Sequence, residues 1–322
     1  MSQSTSPLAV LGDIGGTTAR FTLLWASGKI DAPTNYPTCD QPTFERALET
    51  FVHSCGLPAV PRTVAIAGAG PLTKSGIALT NCPWTITFTG LKKLTDNGNA
   101  HIVNDFTAIA LSLPALTSKD ALQVGTGTAV PGRAMAVLGA GTGLGVSGLV
   151  PSADGVLNPL GGEGGHRTLS ATTEREWRVV ETLTRRFGHA SAERALSGPG
   201  LVNIYEALCN IDCRVEKPHT PIGIAELAFS NDPLAAEAVE LFTGWLGAVA
   251  GDLALTLGAQ GGTFIAGGIV PGWGARFDGH LFRQRFEAKG RFQPLLATIP
   301  TSIITAPVPA FLGLGRLVAN SH

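Results

Sequence analysis

The segment that decides the fold is LAVLGDIGGTTARFTLLWA, residues 8–26. Leu8–Leu11 is a short apolar run that predicts a strand, and it ends at a Gly-Asp pair. Arg20–Ala26 alternates well enough to predict a second strand after the Gly15-Gly16 turn. The chain is therefore expected to open with a β-hairpin whose turn is formed by residues 12–18.

The turn of this hairpin carries glycines, hydroxyl groups and one carboxylate, in Gly12, Asp13, Ile14, Gly15, Gly16, Thr17 and Thr18. Glycines let backbone N–H groups converge on phosphate oxygens without a Cβ clash. The Asp13 carboxylate suits Mg2+ held through water, because Mg2+ is a hard cation that keeps its hydration shell. A plain hairpin turn would use the same glycines, so this segment alone leaves a phosphate site and a structural turn both open.

A second segment repeats this order of strand, glycine turn and strand. Ala134–Leu138 and Val146–Val150 predict strands, and between them lie Gly139, Ala140, Gly141, Thr142, Gly143, Leu144 and Gly145. No Gly-Lys-Ser/Thr follows, as it would in a Walker loop, and a strand comes next where a Rossmann fingerprint has a helix. A third glycine pair, Gly267-Gly268, ends the predicted strand Thr263–Ala266 and is as consistent with a bare turn as with an adenosine contact.

Strands and helices are interleaved along the rest of the chain, which predicts an α/β protein with two similar halves. Further strands are predicted at Thr63–Ala67, His101–Val103 and Ser302–Thr305, and helices at Pro42–Cys55, Phe106–Leu113, Glu174–Phe187, Pro233–Leu257 and Pro309–Val318. The length of 322 residues favours two domains. Because no low-complexity linker is present, the boundaries are expected at short crossings near Pro114 and Pro307.

Composition argues against several classes of protein. Lys plus Arg number 23 and Asp plus Glu number 24, so the formal charge of −1 gives no electrostatic reason to expect a nucleic acid or an anionic membrane as partner. The most apolar stretch, residues 234–257, is interrupted by three carboxylates, which argues against a membrane span. Five cysteines without metal-ligand spacing predict thiols. Residues 1–7 are polar and lack a secretory pattern, which predicts a flexible tail on a cytoplasmic protein.

Six motifs, in this order, resemble the bacterial glucokinase family: DIGGTTAR (13–20), VNDFTA (103–108), GAGTGLG (139–145), GGEGGH (161–166), SAERALSGPG (191–200) and IAGGIVPG (265–272). The resemblance implies a two-domain actin-like (ribonuclease H-like) ATPase fold, with a cleft between a small and a large domain. The small domain is expected at residues 8–114 plus 307–322, and the large domain at residues 115–306. The chain departs from the family at Thr18, where Asn is usual.

The resemblance also implies a reaction, namely the Mg2+-dependent transfer of the γ-phosphate of ATP to the 6-hydroxyl of glucose, in a homodimer. Asp105 matches the catalytic carboxylate, which would accept the proton of the hydroxyl as its oxygen attacks the γ-phosphorus. Asp at such a strand-to-helix corner is also a favoured helix N-cap. The sugar-binding matches are Asn104, Asp105, Glu163, His166 and Glu193. The nucleotide-binding set is Gly12, Asp13, Ile14, Gly15, Gly16, Thr17, Gly141, Thr142, Gly143, Gly267 and Gly268, with Asp13 facing Mg2+ through water.

Other interpretations of these residues stay open. Asn104 could bridge its turn, Glu163 and His166 could be a metal pair that lacks a third ligand, and Glu193 could be a solvated helix residue. A kinase for another hexose, such as mannose, fructose or an N-acetylated amino sugar, would use similar groups, and the phosphoryl donor could be ATP, ADP or polyphosphate. A sugar-sensing regulator is disfavoured, because the first strand begins at Leu8 and leaves no room for a DNA-binding helix-turn-helix.

Overall fold

The computed structural model describes residues 6–215 and 219–321. The first five residues of the predicted tail lie outside this part of the chain. Of the remaining two, Ser6 is exposed, whereas Pro7 is buried. Pro7 is thus already packed into the protein two residues before the first strand, which begins at Ala9.

The described residues form the following elements. The strands are β1 (Ala9–Ile14), β2 (Thr18–Leu24), β3 (Thr34–Pro37), β4 (Thr63–Gly68), β5 (Gly76–Ala78), β6 (Thr85–Thr87), β7 (Asn99–Asn104), β8 (Ala121–Val124), β9 (Met135–Ala140), β10 (Leu144–Pro151), β11 (Leu157–Leu160), β12 (Thr263–Ala266) and β13 (Thr301–Ile304). The helices are α1 (Phe44–Ser54), α2 (Phe88–Leu94), α3 (Asp105–Ser112), α4 (Glu174–Phe187), α5 (Gly198–Ile211), α6 (Pro221–Phe229), α7 (Pro233–Leu257), α8 (Ile269–Trp273), α9 (Gly279–Glu287), α10 (Gln293–Thr298) and α11 (Pro309–Ala319).

The chain divides into two compact units. Unit 1 contains the residues up to Leu116 and those from Ala306 onward, and unit 2 contains Thr117–Thr305. The sheet of unit 1 has the order β3-β2-β1-β4-β7. Its first three strands are antiparallel, whereas β1, β4 and β7 run parallel. Helices α3 and α11 pack together against this sheet.

Strand β1 is buried on both faces, which explains its almost continuous apolar sequence. Val10 and Ile14 belong to a core cluster that includes α1, whereas Ala9 and Leu11 belong to the cluster formed with α3 and α11. Because successive side chains of a strand point to opposite faces, one strand supplies both cores.

The sheet of unit 2 repeats this plan with one additional strand. Its order is β11-β10-β9-β12-β13-β8, in which β11, β10 and β9 are antiparallel, β9, β12 and β13 are parallel, and β8 is an antiparallel edge. Helix α7 packs against α5, α6 and α9 in the main core of the unit. By length and composition α7 could cross a membrane, but 61% of its most apolar window is buried within the protein, as is typical of a core helix.

The predicted α/β class and both predicted β-hairpins are confirmed. One detail is corrected, because β1 does not end at Leu11. It continues to Ile14, since parallel pairing with β4 extends to Gly68 and the hairpin pairing extends to Ala19. Asp13 therefore lies within a strand and not in the turn. The cysteines, as predicted, form no disulfide among the described residues.

Candidate active site

The turn between β1 and β2 presents two backbone donors. The Gly15 amide closes the turn by donating to the Thr18 carbonyl oxygen at 3.0 Å. The next two amides, of Gly16 and Thr17, have no acceptor among the described residues. Two successive N–H groups of this kind form a concave site for an anion such as a phosphate oxygen.

Gly16 also has a packing role in this turn. Its carbonyl oxygen accepts a 2.9 Å hydrogen bond from the Thr38 hydroxyl group. A Cβ at position 16 would lie 3.1 Å from the Thr80 carbonyl oxygen and from the Asn81 Cβ atom. The absence of a side chain therefore lets this turn lie directly against residues 80–81.

Gly12 and Ile14, which the family resemblance places in the nucleotide-binding set, lie in β1 with the core on either side. A Cβ on Gly12 would approach the Cδ1 atom of Ile66 to 2.6 Å and the Phe21 ring to 3.2 Å, so glycine is required there by packing. The Ile14 side chain is fully buried. Among the predicted residues of this segment, Gly16 and Thr17 are the ones whose amides are available to a ligand.

Asp13 forms an ion pair with Arg20, its direct partner across the hairpin. Arg20 donates to Asp13 Oδ2 at 3.0 Å, and the Asp13 side chain is 17% exposed. Burial raises the pKa of the Asp13 carboxyl above its ordinary value, and the charge and hydrogen bond of Arg20 oppose this shift. Arg20 thus favours the ionised form of the Asp13 carboxyl group, whereas burial disfavours that form.

The turn between β9 and β10 repeats the arrangement of the first. The Gly141 amide donates to the Gly143 carbonyl oxygen at 2.9 Å, while the amides of Thr142 and Gly143 have no acceptor among the described residues. The Gly141 carbonyl oxygen accepts from the amide of Gly198, at the first residue of α5, at 2.8 Å. The second glycine segment therefore presents a similar pair of donors in unit 2.

Glu193 packs directly onto this second turn. Its Oε2 atom accepts a 2.9 Å hydrogen bond from the Leu144 amide, and a Cβ on Gly143 would lie 2.5 Å from the same oxygen. Glu193 lies in a short 3-10 turn, Ala192–Arg194, and its side chain is 31% exposed. The interpretation of Glu193 as a solvated helix residue is therefore wrong, because its carboxylate is held by a backbone donor.

His166 lies beside the same carboxylate. Its Nδ1 atom is 3.9 Å from Glu193 Oε1, and its side chain is 58% exposed. Glu163 precedes the short 3-10 turn Gly164–His166, where its carbonyl oxygen accepts from the His166 amide at 3.0 Å, and its residue is exposed. The structure thus brings Glu193, His166 and the turn after β9 together, while the Glu163 carboxylate lies on the surface of the same loop.

Gly267 and Gly268 follow β12 and differ in whether a side chain could be accommodated there. Gly267 has φ of +82°, and a Cβ there would lie 2.3 Å from the Ala140 carbonyl oxygen. Glycine is therefore needed for the close approach of the ends of β9 and β12. A Cβ on Gly268, at the start of α8, would meet nothing within 4 Å.

Asn104 and Asp105 stand in unit 1 at the corner from β7 to α3. Asn104 is the N-cap: its Oδ1 atom accepts from the Phe106 amide at 2.9 Å, and its Nδ2 atom donates to the Gly70 carbonyl oxygen at 3.1 Å. Asp105 is the first residue of α3, and its Oδ1 atom shares the same amide at 2.9 Å. The residue that caps α3 is therefore Asn104. The positive end of the helix dipole favours a negative charge on Asp105, at the first position of the helix.

A model of the glucokinase family matches residues 10–321, nearly the whole chain. The chain is also 43% identical, over 316 residues and 98% of both chains, to a glucokinase of Paramagnetospirillum magneticum. The chain belongs to the glucokinase family. It is accordingly a kinase, which phosphorylates glucose with ATP.

Solved structures agree with this membership. A glucokinase from an Antarctic psychrotroph superposes with a TM-score of 0.88 at 30% identity, covering 97% of this chain and 98% of the other. A glucokinase of Streptomyces griseus, in complex with glucose and AMPPNP, shares the fold with a TM-score of 0.60 at 17% identity, with 97% and 99% of the chains covered. The chain is also 42% identical to two relatives named bifunctional protein glk, of Paraburkholderia xenovorans and Burkholderia thailandensis, and it spans about half of their length.

The donor set of this glucokinase family member fits Mg2+ held through water. Asp13 Oδ2 accepts from Arg20, while no described residue donates a hydrogen bond to its Oδ1 atom, so that oxygen can accept a hydrogen bond from metal-bound water. Mg2+ is commonly held by one or two carboxylates together with substrate phosphates. The described residues contain no group of three His, Cys, Asp or Glu side chains that could hold a metal ion by themselves, so Glu163 and His166 gain no third ligand.

Two contacts of this site were missed by reasoning from sequence. Arg20 could have been found, because a hairpin centred on residues 15–18 places positions 13 and 20 opposite each other. The bond from Leu144 to Glu193 joins residues 49 positions apart and leaves no signal in the sequence.

Proposed function

We propose that the chain transfers the γ-phosphate of ATP to the 6-hydroxyl of glucose, with Asp105 as the general base. The observation that carries this proposal is that Asn104 caps α3, so the neighbouring Asp105 carboxylate is not needed as the cap. A carboxylate at a helix N-terminus is stabilised as an anion, and the anion is the form that can accept a proton.

The proposed reaction is a direct displacement at the γ-phosphorus. The 6-hydroxyl gives its proton to an Asp105 carboxylate oxygen while its oxygen bonds to the γ-phosphorus. The bond from that phosphorus to the β,γ-bridging oxygen breaks, so ADP leaves and glucose 6-phosphate is formed. The proton then passes from Asp105 to water, which restores the base.

Asn104, Glu163, His166 and Glu193 are proposed to hold the sugar hydroxyl groups. Carboxylate oxygens accept hydrogen bonds, whereas amide and imidazole groups both donate and accept, and this mixture suits a polyol. A sugar with the wrong configuration would leave such groups unpaired at a cost of about 1–3 kcal/mol each. The 3.9 Å approach of His166 to Glu193 supports a shared role, because two groups so close can read adjacent hydroxyls.

The two hairpin turns are proposed to hold the phosphates of the nucleotide, with Gly267 and Gly268 near its adenosine. The support is the paired amides of Gly16 and Thr17 in one turn and of Thr142 and Gly143 in the other. Mg2+, held through water by Asp13, would neutralise charge on the β- and γ-phosphates.

The substrate assignment is tested with the purified protein, ATP and Mg2+ on a panel of glucose, mannose, fructose and N-acetylglucosamine, with ADP release as the readout. The expected result is the highest kcat/KM for glucose. A second assay, coupled to a dehydrogenase that oxidises only glucose 6-phosphate, should give the same rate and so identify the 6-position. A higher kcat/KM for another hexose, or ADP release without that coupled signal, would contradict the assignment. Replacing ATP by ADP or polyphosphate in the coupled assay, which detects glucose 6-phosphate whatever the donor, tests the donor.

The family resemblance also supports a homodimer located in the cytoplasm. Sedimentation equilibrium of the 33.2 kDa chain should give about twice that mass at micromolar concentration. A mass that stays at 33.2 kDa at these concentrations would contradict the dimer.

A further inference from the structure

We infer that Arg167, Asp252 and Lys289 form a network that positions the loop of residues 163–166, which we call the sugar-reading loop, and that this network sets the affinity for glucose. The inference rests on the proposed function of Glu193 and His166 as sugar ligands. All three residues of the network lie in unit 2, and none of them is assigned to substrate, nucleotide or metal.

The network is a chain of charged hydrogen bonds that begins in the helical core. Lys289, just after α9, donates through Nζ to Asp252 Oδ1 at 2.7 Å and to the Ala248 carbonyl oxygen at 2.9 Å. Its side chain is 13% exposed, so this ammonium group is largely withdrawn from water. Gly251 allows the close approach of the helices, because a Cβ there would lie 2.4 Å from the Phe286 carbonyl oxygen.

Asp252 connects Lys289 to Arg167, the residue that follows the sugar-reading loop. Its Oδ2 atom accepts from both Nη1 and Nη2 of Arg167, at 3.1 Å each. A guanidinium group bound by two of its nitrogens has a defined orientation, unlike a lysine held as a point charge. Arg167 directly follows His166, so its side chain fixes the end of the segment that carries His166 and Glu163.

The backbone of Arg167 in turn holds the segment that carries Glu193. The Arg167 carbonyl oxygen accepts from the Ala192 amide at 2.8 Å, and the Leu169 amide donates to the Ala190 carbonyl oxygen at 2.9 Å. These bonds flank an antiparallel bridge between Thr168 and Ser191. Both sugar-reading side chains thus extend from two short segments whose shared anchor is Arg167.

The loss of this network should change sugar binding more than it changes the chemical step. Arg167 and Asp252 are each more than one third exposed, so the fold does not depend on burial of their charges. A small displacement of Glu193 and His166, however, weakens every hydrogen bond that they make to the sugar. Because these contacts are made in both the ground state and the transition state, KM for glucose should rise while kcat is kept.

The test compares Asp252→Asn and Arg167→Met with a matched control, Glu237→Gln. Glu237 also lies on α7 and also binds an arginine by two nitrogens, Nε and Nη2 of Arg175, at 2.6 and 2.9 Å, but that arginine does not belong to the loop. The two network variants should each raise KM for glucose about tenfold, with KM for ATP and kcat within about twofold. The double variant should be no worse than either single one, because both remove the same link. Glu237→Gln should keep the wild-type KM for glucose.

Two kinetic results would overturn the inference: wild-type KM for glucose in Asp252→Asn, or an equal rise in Glu237→Gln. If Asp252→Asn does not fold, Arg167→Gln carries the same test, because it leaves the bond between Asp252 and Lys289 intact. Hydrogen exchange gives a readout that does not depend on activity. The amides of Leu169 and Ala192 should exchange faster in Asp252→Asn than in Glu237→Gln, and equal rates would refute the network. A wild-type protein that phosphorylates no hexose would instead refute the proposed function.

Discussion

The close packing of Glu193 on Gly143 leads to a prediction that tests whether Glu193 connects the β9–β10 turn to the proposed sugar site. In Gly143→Ala the new Cβ would lie 2.5 Å from Glu193 Oε2, which is too close for any real contact. The neighbour is the end of a flexible side chain, so the carboxylate should move away while the backbone stays in place. Its bond to the Leu144 amide, 2.9 Å long in the structure, would then be lost.

The expected loss of stability is small. A hydrogen bond to a charged group contributes about 1.5–3 kcal/mol, and the lower end applies to a carboxylate that is partly exposed. Alanine also restricts the unfolded chain relative to glycine, which stabilises the folded protein by about 0.4–1 kcal/mol. The free energy of unfolding should therefore fall by about 1 kcal/mol. The affinity for glucose should fall about tenfold, because misplacing one sugar acceptor costs near 1.4 kcal/mol.

The assay measures KM for glucose at saturating ATP, together with urea unfolding, for Gly143→Ala and for Gly141→Ala as the control. A Cβ on Gly141 would meet nothing within 4 Å, and this glycine lies in the same turn. Gly141→Ala should therefore leave KM for glucose within about twofold of wild type. An unchanged KM in Gly143→Ala, or the same increase in Gly141→Ala, would show that Glu193 does not link this turn to the sugar.

Three further perturbations follow from the structure. Arg20→Met removes the charge that opposes the raised pKa of Asp13. Because the pKa of Asp13 is higher in the folded protein than the unfolded-chain value of 3.8, this group stabilises the fold at low pH and destabilises it once the pH exceeds its folded-state pKa. Without Arg20 that pKa rises further, so the loss of Tm relative to wild type should be larger at pH 7 than at pH 4. A Tm difference that does not depend on pH would contradict it. Asn104→Ala removes a helix cap and should lower the free energy of unfolding by about 1 kcal/mol in urea titration, whereas an unchanged midpoint would show that the cap is dispensable. Gly267→Ala, at φ of +82°, should lose about 2 kcal/mol or more, while Gly268→Ala in open space should lose less than about 0.5 kcal/mol; equal losses would argue against strain at the first position.

The sequence was most informative where apolar residues recur at helical spacing without interruption. The apolar spacing of α4 and α7 predicts their observed limits, Glu174–Phe187 and Pro233–Leu257. Short or exposed elements gave no such signal: β3 is four residues long and mostly exposed. Helix α5 begins Gly-Pro-Gly, a sequence typical of a turn, yet Ser197 caps it and proline is tolerated in the first turn of a helix.

The candidate site was predictable as a set of residues but not as an arrangement. Glycine spacing indicates both hairpin turns, because each depends on residues adjacent in sequence. Which amides remain without acceptors depends on hydrogen bonds inside the turn, such as that from Gly141 to Gly143. The placement of Glu193 on the Leu144 amide, and of Arg167 on Asp252, depends on packing between distant segments, and a single sequence carries no record of it.

The proposed role of Asp105 as general base is tested most directly by the Asp105→Asn variant. Asparagine keeps an oxygen that can accept from the Phe106 amide, and Asn104 remains as the cap, so α3 should keep its structure. The measurement is kcat in the coupled assay beside the dissociation constant for glucose from calorimetry without nucleotide. We expect kcat to fall about 10³-fold, while the dissociation constant changes by less than about threefold. A kcat within tenfold of wild type, in a variant that still binds glucose, would contradict the account.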